Sequence, residues 1–389
     1  MAVVLGTRPE IVKLAPVIHG LGDRARVIHT GQQEDGALTG TLLDQLAIGA
    51  PDDVLAGGAA EDRGARIATG IAELTRLFAD QRPSVVVVQG DADAAVSGAQ
   101  AASCAGIPVV HVEAGLRSYD RDMPEELNRR VTDVLADVHC AATEHNATTL
   151  RGEGVNPTSV VVTGNTVVEA VHRSLDHTSC TVEQVAADLG LDDHLLARYA
   201  LATIHRPENT DSPHALRRVM EGLAGIDAPV VLVLHPRTRE ALEQFGLLHL
   251  LDAVTAVPPV GHEEFLQLAA HATLLVSDSG GIQEECTLIG RPLLVVRRST
   301  DRPESIAAGF ARLVPPHEDL ALVANDLLAS GIDDARLGAA PSPYGDGHAA
   351  ERICHIVRGL ADGRSPAEVC GYPYVEPFRQ PYGAAALAS

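Results

Sequence analysis

Carboxylate side chains recur at places where a β-type run ends or a helix begins. Asp91 directly follows one run, Glu113 closes another, and Glu125 lies in the first turn of a helical segment. Carboxyl groups that converge raise one another's pKa and can work as an acid–base pair, so this set predicts proton-transfer chemistry. The alternative is structural, because Glu125 and Arg129 are four residues apart and can form an ordinary helix salt bridge.

A second cluster has the composition of an anion site. The segment DSGGIQEE at 278–285 reads as a strand end, a turn and a helix start, where free backbone N–H groups and the helix dipole attract anions. Its glycines let a phosphate approach closely, and Glu285 could accept hydrogen bonds from ribose hydroxyls. The alternative is a capped helix whose glycines serve only close packing. The segment GTRPE at 6–10, with Lys13 in the following helix, suits a second anionic contact or a capped helix with exposed cations.

Three histidines, His111, His205 and His235, also follow or close β-type runs. Their spacing matches no zinc signature, so we expect no metal, and histidine as a phosphate partner or general acid fits better. The sequence contains neither GxGxxG after a strand nor GxxxxGK[ST], which argues against a dinucleotide cofactor and a P-loop. We therefore expect no cofactor.

The elements that must position these residues alternate along the chain. Ten short, almost continuously apolar runs alternate with stretches of helical length, which predicts parallel sheets covered by helices on both faces. The runs lie at 3–5, 27–30, 85–89, 108–112, 159–163, 200–204, 230–234, 253–257, 273–276 and 292–296. The alternation weakens across 170–198, where two helical segments follow one another. The sequence thus predicts a doubly wound α/β fold in two halves. Because ligands bind beyond the carboxyl ends of such strands, and both halves contribute polar clusters there, we expect a ligand in an interdomain cleft.

Composition narrows the classes of partner. The 389 residues include 30 Lys+Arg against 52 Asp+Glu, a formal charge of −22, which disfavours nucleic acid and anionic membrane surfaces. No apolar run approaches the ~20 residues of a membrane span, and the N-terminus lacks signal-peptide features. The six cysteines are scattered without a CxxC pair, as expected of reduced thiols in a cytoplasmic protein.

Several ordered motifs resemble one family. They span the chain from end to end: GTRPEIVKLAPV at 6–17, HVEAGLRSYDRDMPEELNR at 111–129, TGNTVVEAV at 163–171, TIHRPEN at 203–209, DSGGIQEE at 278–285, STDRPES at 299–305 and SPYGDGHAAERI at 342–353. Together they resemble the non-hydrolysing UDP-N-acetylglucosamine 2-epimerases of bacteria and archaea.

This resemblance implies the GT-B fold, with two Rossmann-like domains. The implied divisions are 1–168 for the sugar and the catalytic carboxylates, 169–345 for UDP, and 346–389 for a C-terminal helix and tail that return to the first domain. The implied activity interconverts UDP-GlcNAc and UDP-ManNAc, an isomerisation that eliminates UDP to 2-acetamidoglucal and adds it back. The implied partners are a UDP-sugar and a second copy in a homodimer, with neither metal nor nicotinamide.

The resemblance also implies roles for individual residues. The catalytic set is Asp91, Glu113, Glu125 and His205, the last at the diphosphate. The substrate-binding set is Arg8, Lys13, Arg129, His235, Ser279, Gly280, Gly281 and Glu285, with Arg129 supporting Glu125. Relatives that are activated by a second UDP-GlcNAc use residues matching Gln32, Gln33, Arg206 and Glu208.

The chain departs from the family pattern in three places. Gln33 stands where activated relatives have histidine, and the loop at 118–123 is short, which puts that activation in doubt. Ala92-Asp93-Ala94-Ala95 replaces a threonine-rich stretch beside the sugar pocket, so a related UDP-aminosugar is an alternative substrate. A hydrolysing epimerase that releases ManNAc, a GT-B glycosyltransferase and a non-catalytic nucleotide-sugar-binding protein are further alternatives. The motifs do not say which carboxylate removes the C2 proton.

Overall fold

A computed structural model describes residues 1–32, 36–56, 62–176, 180–371 and 375–381. The chain divides into two compact units. One contains residues 1–170 and the described residues from 344 onward, and the other contains residues 171–343. No helix among the described residues is long and apolar enough to cross a membrane.

The first unit alternates strands and helices up to the unit boundary. Its elements are β1 Ala2–Leu5, α1 Arg8–Leu21, β2 Arg26–His29, α2 Gly36–Gln45, β3 Asp53–Val54, α3 Arg63–Asp80, β4 Val86–Gln89, α4 Asp93–Cys104, β5 Val109–Ala114, α5 Pro124–Leu135, β6 Val138–Ala141, α6 Glu144–Gly152, β7 Val160–Val162 and α7 Val167–Asp176. The seven strands form a parallel sheet in the order β3-β2-β1-β4-β5-β6-β7.

The second unit repeats this plan. Its elements are α8 Val182–Leu189, α9 Asp193–Leu196, β8 Ala200–Thr203, α10 Pro207–Thr210, α11 Pro213–Ala224, β9 Val230–Val233, α12 Pro236–Gln244, β10 Thr255–Val257, α13 His262–His271, β11 Leu274–Ser277, α14 Gly280–Ile289, β12 Leu293–Val295, α15 Pro303–Ala307, β13 Ala311–Leu313, α16 Leu320–Ser330 and α17 Asp334–Ala339. Six parallel strands follow the order β10-β9-β8-β11-β12-β13.

The chain then returns to the first unit. Helix α18, Ala349–Ala361, packs on α1, and the thiol of Cys354 donates to the Val17 carbonyl at 3.5 Å. The short helix α19, Pro366–Cys370, follows it.

Burial explains why the strands read as continuous apolar runs. In β1, Val3 and Leu5 belong to one core cluster, whereas Ala2 and Val4 belong to another on the opposite face of the sheet. Helices cover both faces, so neither face can be polar. The predicted doubly wound α/β class is confirmed.

The strand order reverses direction once in each sheet, between β1 and β4 and between β8 and β11. Loops diverge to opposite faces at such a point and leave a crevice beyond the carboxyl ends of the strands. Arg8 and Asp91 follow the two strands at the first reversal, and His205 and Ser279 follow the two at the second. The topology therefore concentrates the candidate residues of each unit at its own switch point.

Candidate active site

Glu113 lies at an irregularity in β5, where the pairing with β6 shifts register between Val112 and Ala114. Its φ is +64°, a left-handed conformation that costs energy for a residue with a side chain. Such backbone strain persists only where surrounding contacts impose it, and it concentrates at functional sites. The bulge re-aims the Glu113 side chain, which is buried.

Three donors converge on one oxygen of that carboxylate. Lys13 Nζ lies 2.6 Å from Glu113 Oε2, Gln89 Nε2 lies 2.9 Å from it, and Asn165 Nδ2 lies 3.2 Å from it. Lys13 is itself buried, so the two charges compensate each other away from water. The arrangement holds a carboxylate in a fixed orientation inside a largely dry environment.

Asp91 follows β4 after Gly90, whose φ is +66°. Its carboxylate pairs with the buried Arg129 guanidinium, and its backbone carbonyl accepts from Asn128 Nδ2 at 2.8 Å. Arg129 also contacts Glu126 at 3.3 Å. Arg129 thus pairs with Asp91 and Glu126, and its support of Glu125 stays a prediction. Glu125 lies half-buried in the first turn of α5.

Glu10 is a buried carboxyl group near this site that the sequence analysis did not single out. Its Oε2 accepts from the N–H groups of Gly6 and Thr7 at 3.0 and 2.8 Å and from the Thr7 hydroxyl at 2.8 Å, which forms a capping box for α1. Burial and, to a smaller extent, the charge of Asp91 raise the pKa of Glu10 to about 8, against the lowering effect of these hydrogen bonds. Arg8, the first residue of α1, is half-buried.

In the second unit, the buried Asp278 organises the loop after β8. Its carboxylate accepts from the N–H groups of His205 and Arg206, at 3.1 and 2.9 Å, and from Asn209 Nδ2 at 2.9 Å. His205 Nδ1 also lies 3.2 Å from Asp278 Oδ1. Burial lowers the pKa of His205 although Asp278 acts in the opposite direction, so the imidazole is neutral at neutral pH. His235, the N-cap of α12, lies with its ring centroid 5.0 Å from that of His205.

The two glycines at the start of α14 differ in their surroundings. A Cβ on Gly280 would lie 2.8 Å from Arg302 Nη1, and Arg302 is buried between Glu284 and Asp301 at 2.7 and 2.8 Å. A Cβ on Gly281 would meet nothing closer than 3.9 Å among the described residues. The fold explains glycine at 280 but not at 281.

Two further residues complete this region of the second unit. Ser279 occupies the N-cap position of α14 without a capping hydrogen bond from its side chain, and Glu285 lies further along the helix, with its Oε1 3.1 Å from His262 Nε2. His262, the first residue of α13, was not anticipated from the sequence. In the sequence, a histidine after a glycine indicates only a loop, so nothing there pointed to His262 as a site residue.

Three of the four residues that match the activating site of relatives lie within the described residues. Gln33 lies outside the described residues, and Gln32 Oε1 accepts from the Ala94 N–H at 3.1 Å. Arg206 Nε donates to the Asp278 carbonyl at 3.0 Å, and Glu208 Oε2 accepts from the Arg298 N–H at 3.0 Å. These two side chains brace the loop after β8.

Several polar partners of the site were not predicted from the sequence: Gln89, Glu126, Asn128, Asn165 and Asp133. Gln89 ends a predicted strand, and Asn165 lies in the motif at 163–171, just after another one. Both could therefore have been found by looking for polar residues at the ends of strands. Across the described parts of the chain, no group of three or more His, Cys, Asp or Glu side chains is arranged to hold a metal ion.

Comparison with known proteins gives consistent results. The sequence profile of the UDP-N-acetylglucosamine 2-epimerase family matches residues 22–358. The UDP-N-acetylglucosamine 2-epimerase of Methanocaldococcus jannaschii is 34% identical, with 92% of this chain and 98% of that protein covered. A Pseudomonas aeruginosa relative named UDP-2,3-diacetamido-2,3-dideoxy-D-glucuronate 2-epimerase is 32% identical over 92% of this chain and 99% of its own length. The crystal structure of the Neisseria meningitidis UDP-GlcNAc 2-epimerase bound to UDP-GlcNAc superposes with a TM-score of 0.82 at 31% identity, covering 93% and 99% of the two chains. With the profile match running along most of its length, the chain belongs to the UDP-N-acetylglucosamine 2-epimerase family.

Proposed function

We propose that this protein interconverts UDP-GlcNAc and UDP-ManNAc by inverting C2 of the sugar, without hydrolysis. The observation that carries the proposal is the family match along residues 22–358. The oriented carboxylates of the first unit supply groups that such an inversion requires.

The C2 hydrogen is not adjacent to a carbonyl group, so direct removal of the proton is unfavourable. Elimination avoids this difficulty. A carboxylate takes the C2 proton, the C–H electron pair forms a C1=C2 double bond, and the C1–O bond breaks with its electrons leaving on UDP. Addition then returns a proton to the opposite face of C2 and UDP to C1. Two carboxyl groups in different protonation states serve the two faces, and we assign these roles among Asp91, Glu113 and Glu125.

We assign nucleotide binding to the second unit, at the start of α14. Backbone N–H groups of Ser279, Gly280 and Gly281 would bind phosphate oxygens, and Glu285 would accept from the ribose hydroxyls. The absence of any packing reason for glycine at 281, among the described residues, supports close approach of the ligand there. His205 would contact the diphosphate, whose negative charge favours the imidazolium form and so stabilises the leaving group. The first unit has its own positive groups, Arg8 and Lys13, of which Lys13 is balanced by Glu113.

We further propose a homodimer that works in the cytoplasm. An apolar stripe on α5 supports self-association, because Leu127, Val131 and Val134 share one face and are 40%, 44% and 84% exposed. All six cysteines are free thiols, as expected in a reducing compartment. Sedimentation velocity on the purified protein distinguishes the dimer from a monomer.

The test of function is NMR of the protein with UDP-GlcNAc in deuterated water. Epimerisation yields UDP-ManNAc and places deuterium at C2 of both sugars. Release of free ManNAc and UDP would instead identify a hydrolysing enzyme, and failure to exchange C2 on UDP-GlcNAc would refute the proposed substrate. UDP-2,3-diacetamido-2,3-dideoxyglucuronate, the sugar named for one relative, serves as the comparison substrate.

Variants then test the roles of the residues. Asp91→Asn, Glu113→Gln and Glu125→Gln should each lower turnover by about 10²–10⁴-fold and abolish C2 exchange, with UDP affinity nearly intact. His205→Asn should weaken both UDP binding and rate. If one carboxylate variant keeps full deuterium exchange at C2, the residue that it replaces is not an acid or base in this reaction. If all three variants lose UDP binding in parallel with the rate, the division of roles between the units is refuted.

A further inference from the structure

A buried charged cluster lies beside Asp91 and takes no part in the chemistry described above. His111 on β5 is completely buried, and its Nδ1 lies 2.7 Å from Oδ1 of Asp133 on α5. Arg117 Nη2 lies 2.7 Å from the other carboxylate oxygen of Asp133 and the same distance from Glu153 Oε2. Asp133 is therefore flanked by a histidine and an arginine.

The Arg117 guanidinium is always charged, and at 2.7 Å from Oδ2 it favours the ionised form of Asp133 whatever the state of His111. Burial alone would raise the pKa of Asp133, but the charges and hydrogen bonds of His111 and Arg117 outweigh burial and hold the pKa below its ordinary value. An ionised carboxylate can only accept hydrogen bonds. The 2.7 Å contact therefore requires a hydrogen on His111 Nδ1.

The other ring nitrogen faces a second acceptor. His111 Nε2 lies 2.8 Å from the backbone carbonyl oxygen of Gly90, which also can only accept. Nε2 must carry a hydrogen as well. With both nitrogens protonated, the ring is a buried imidazolium ion whose charge is balanced by Asp133.

The carbonyl that this ion holds belongs to the turn that presents Asp91. Gly90 has a φ of +66°, and its N–H donates to the Val112 carbonyl at 3.0 Å. The next carbonyl, that of Asp91, accepts from Asn128 Nδ2 at 2.8 Å. Donors from β5 and α5 thus restrain consecutive peptide groups, and a charged donor forms about twice as strong a hydrogen bond as a neutral one.

We propose that His111 is a positioning residue whose ring donates one hydrogen bond to Asp133 and one to the Gly90 carbonyl, and thereby orients the Asp91 carboxylate. The effect on turnover rests on the proposed function of Asp91 as an acid–base residue. The protonation state of the His111 ring and its contact with the Gly90 carbonyl do not depend on that function.

The first test measures the ring directly in the unaltered protein. Long-range ¹H–¹⁵N spectra of protein labelled with ¹⁵N-histidine should show two protonated ring nitrogens for His111 at neutral pH, assigned by their loss in His111→Asn. A His111 spectrum with one protonated nitrogen would overturn the proposal.

A matched set of variants tests positioning. In His111→Asn the amide can replace Nδ1 toward Asp133 but cannot reach Gly90, whereas in His111→Gln the amide nitrogen can replace Nε2 toward Gly90. His139→Gln is the control, because His139 is a buried histidine in register with His111 on β6. Its Nε2 contacts the Asp133 backbone carbonyl at 2.7 Å, not Gly90.

We expect His111→Asn to lower kcat by about 10²-fold with little change in KM, since a misplacement of about 1 Å has that effect. His111→Gln should retain more activity, and His139→Gln should keep kcat even where its melting temperature falls. Equal losses of kcat in His111→Asn and His139→Gln at similar stability would reduce His111 to a structural role.

A crystal structure of the His111→Asn protein gives a readout that needs no activity. The proposal requires the Gly90 carbonyl to turn and the Asp91–Arg129 pair to shift, and an unchanged turn would refute it. If the unaltered protein does not epimerise UDP-GlcNAc, the proposed function fails. The crystal structure of the His111→Asn protein and the ring spectra still decide the role of His111.

Discussion

Replacing Gly281 with alanine should stabilise the free protein and weaken nucleotide binding at the same time. The added Cβ meets nothing closer than 3.9 Å among the described residues, and Gly281 has no left-handed backbone conformation. Gly→Ala at such a compatible position typically stabilises a protein by about 0.4–1 kcal/mol, because the unfolded chain loses conformational freedom. For a unit of this size, that corresponds to a rise of roughly 1–4 °C in melting temperature.

The same methyl group would occupy the space where we place the phosphate. Loss of one hydrogen bond to a charged group costs about 1.5–3 kcal/mol, which weakens the affinity for UDP by about 10- to 150-fold. Calorimetric titration measures this change. Thermal unfolding can be followed by circular dichroism, which is needed because the chain contains no tryptophan.

Gly280→Ala is the matched control. Its Cβ would lie 2.8 Å from Arg302 Nη1, and the two carboxylates that hold Arg302 prevent it from moving away cheaply. Overpacking of this kind costs about 1–3 kcal/mol, so this variant should melt at a lower temperature without ligand. Unchanged UDP affinity in Gly281→Ala would refute the nucleotide position, and destabilisation by that variant would refute the packing argument.

Two further predictions concern pH and regulation. The pKa of Glu10 is about 8 in the folded protein against 4.5 for the free group, so the folded state binds more protons between these values and its stability falls as pH rises across this window. Glu10→Gln should therefore gain stability relative to the unaltered protein between about pH 5 and about pH 8, by at most about 1.4 kcal/mol per pH unit, and a constant difference in urea unfolding would contradict this. Trace UDP-GlcNAc should give little or no activation of turnover from UDP-ManNAc, because the neutral amide of Gln33 lacks a charged hydrogen bond worth roughly 1.5–3 kcal/mol. A lag abolished by trace UDP-GlcNAc would count against this, and Gln33→His provides the comparison.

Hydropathy alone determined the class of fold. Continuous apolar runs require burial on both faces, and ten such runs correspond to strands of the two sheets. Three strands were not predicted from such runs, each for an identifiable reason. Asp53–Val54 has only two residues, Val138–Ala141 contains a histidine and a cysteine, and Ala311–Leu313 is an edge strand that is only partly buried.

The placement of the candidate residues at strand ends also followed from the sequence. Parallel strands share one carboxyl edge, so Asp91, Glu113, His205 and Ser279 were bound to lie at the edges of their sheets once the strands were recognised. This inference needs only the local order of strand and turn along the chain.

The partners of these residues were decided by tertiary structure. Lys13 and Glu113 are 100 residues apart and meet because β1, β4 and β5 are consecutive in the sheet, an order that no local pattern encodes. Arg129 lies close enough in sequence to Glu125 to suggest a helix pair, yet it also reaches Asp91, because the side of α5 that carries Asn128 and Arg129 lies beside the turn that follows β4. Helix spacing predicts which side chains can meet on one surface, whereas the buried Arg129 guanidinium needs counter-charges and takes them from Asp91 and Glu126, the carboxylates that the fold brings to it.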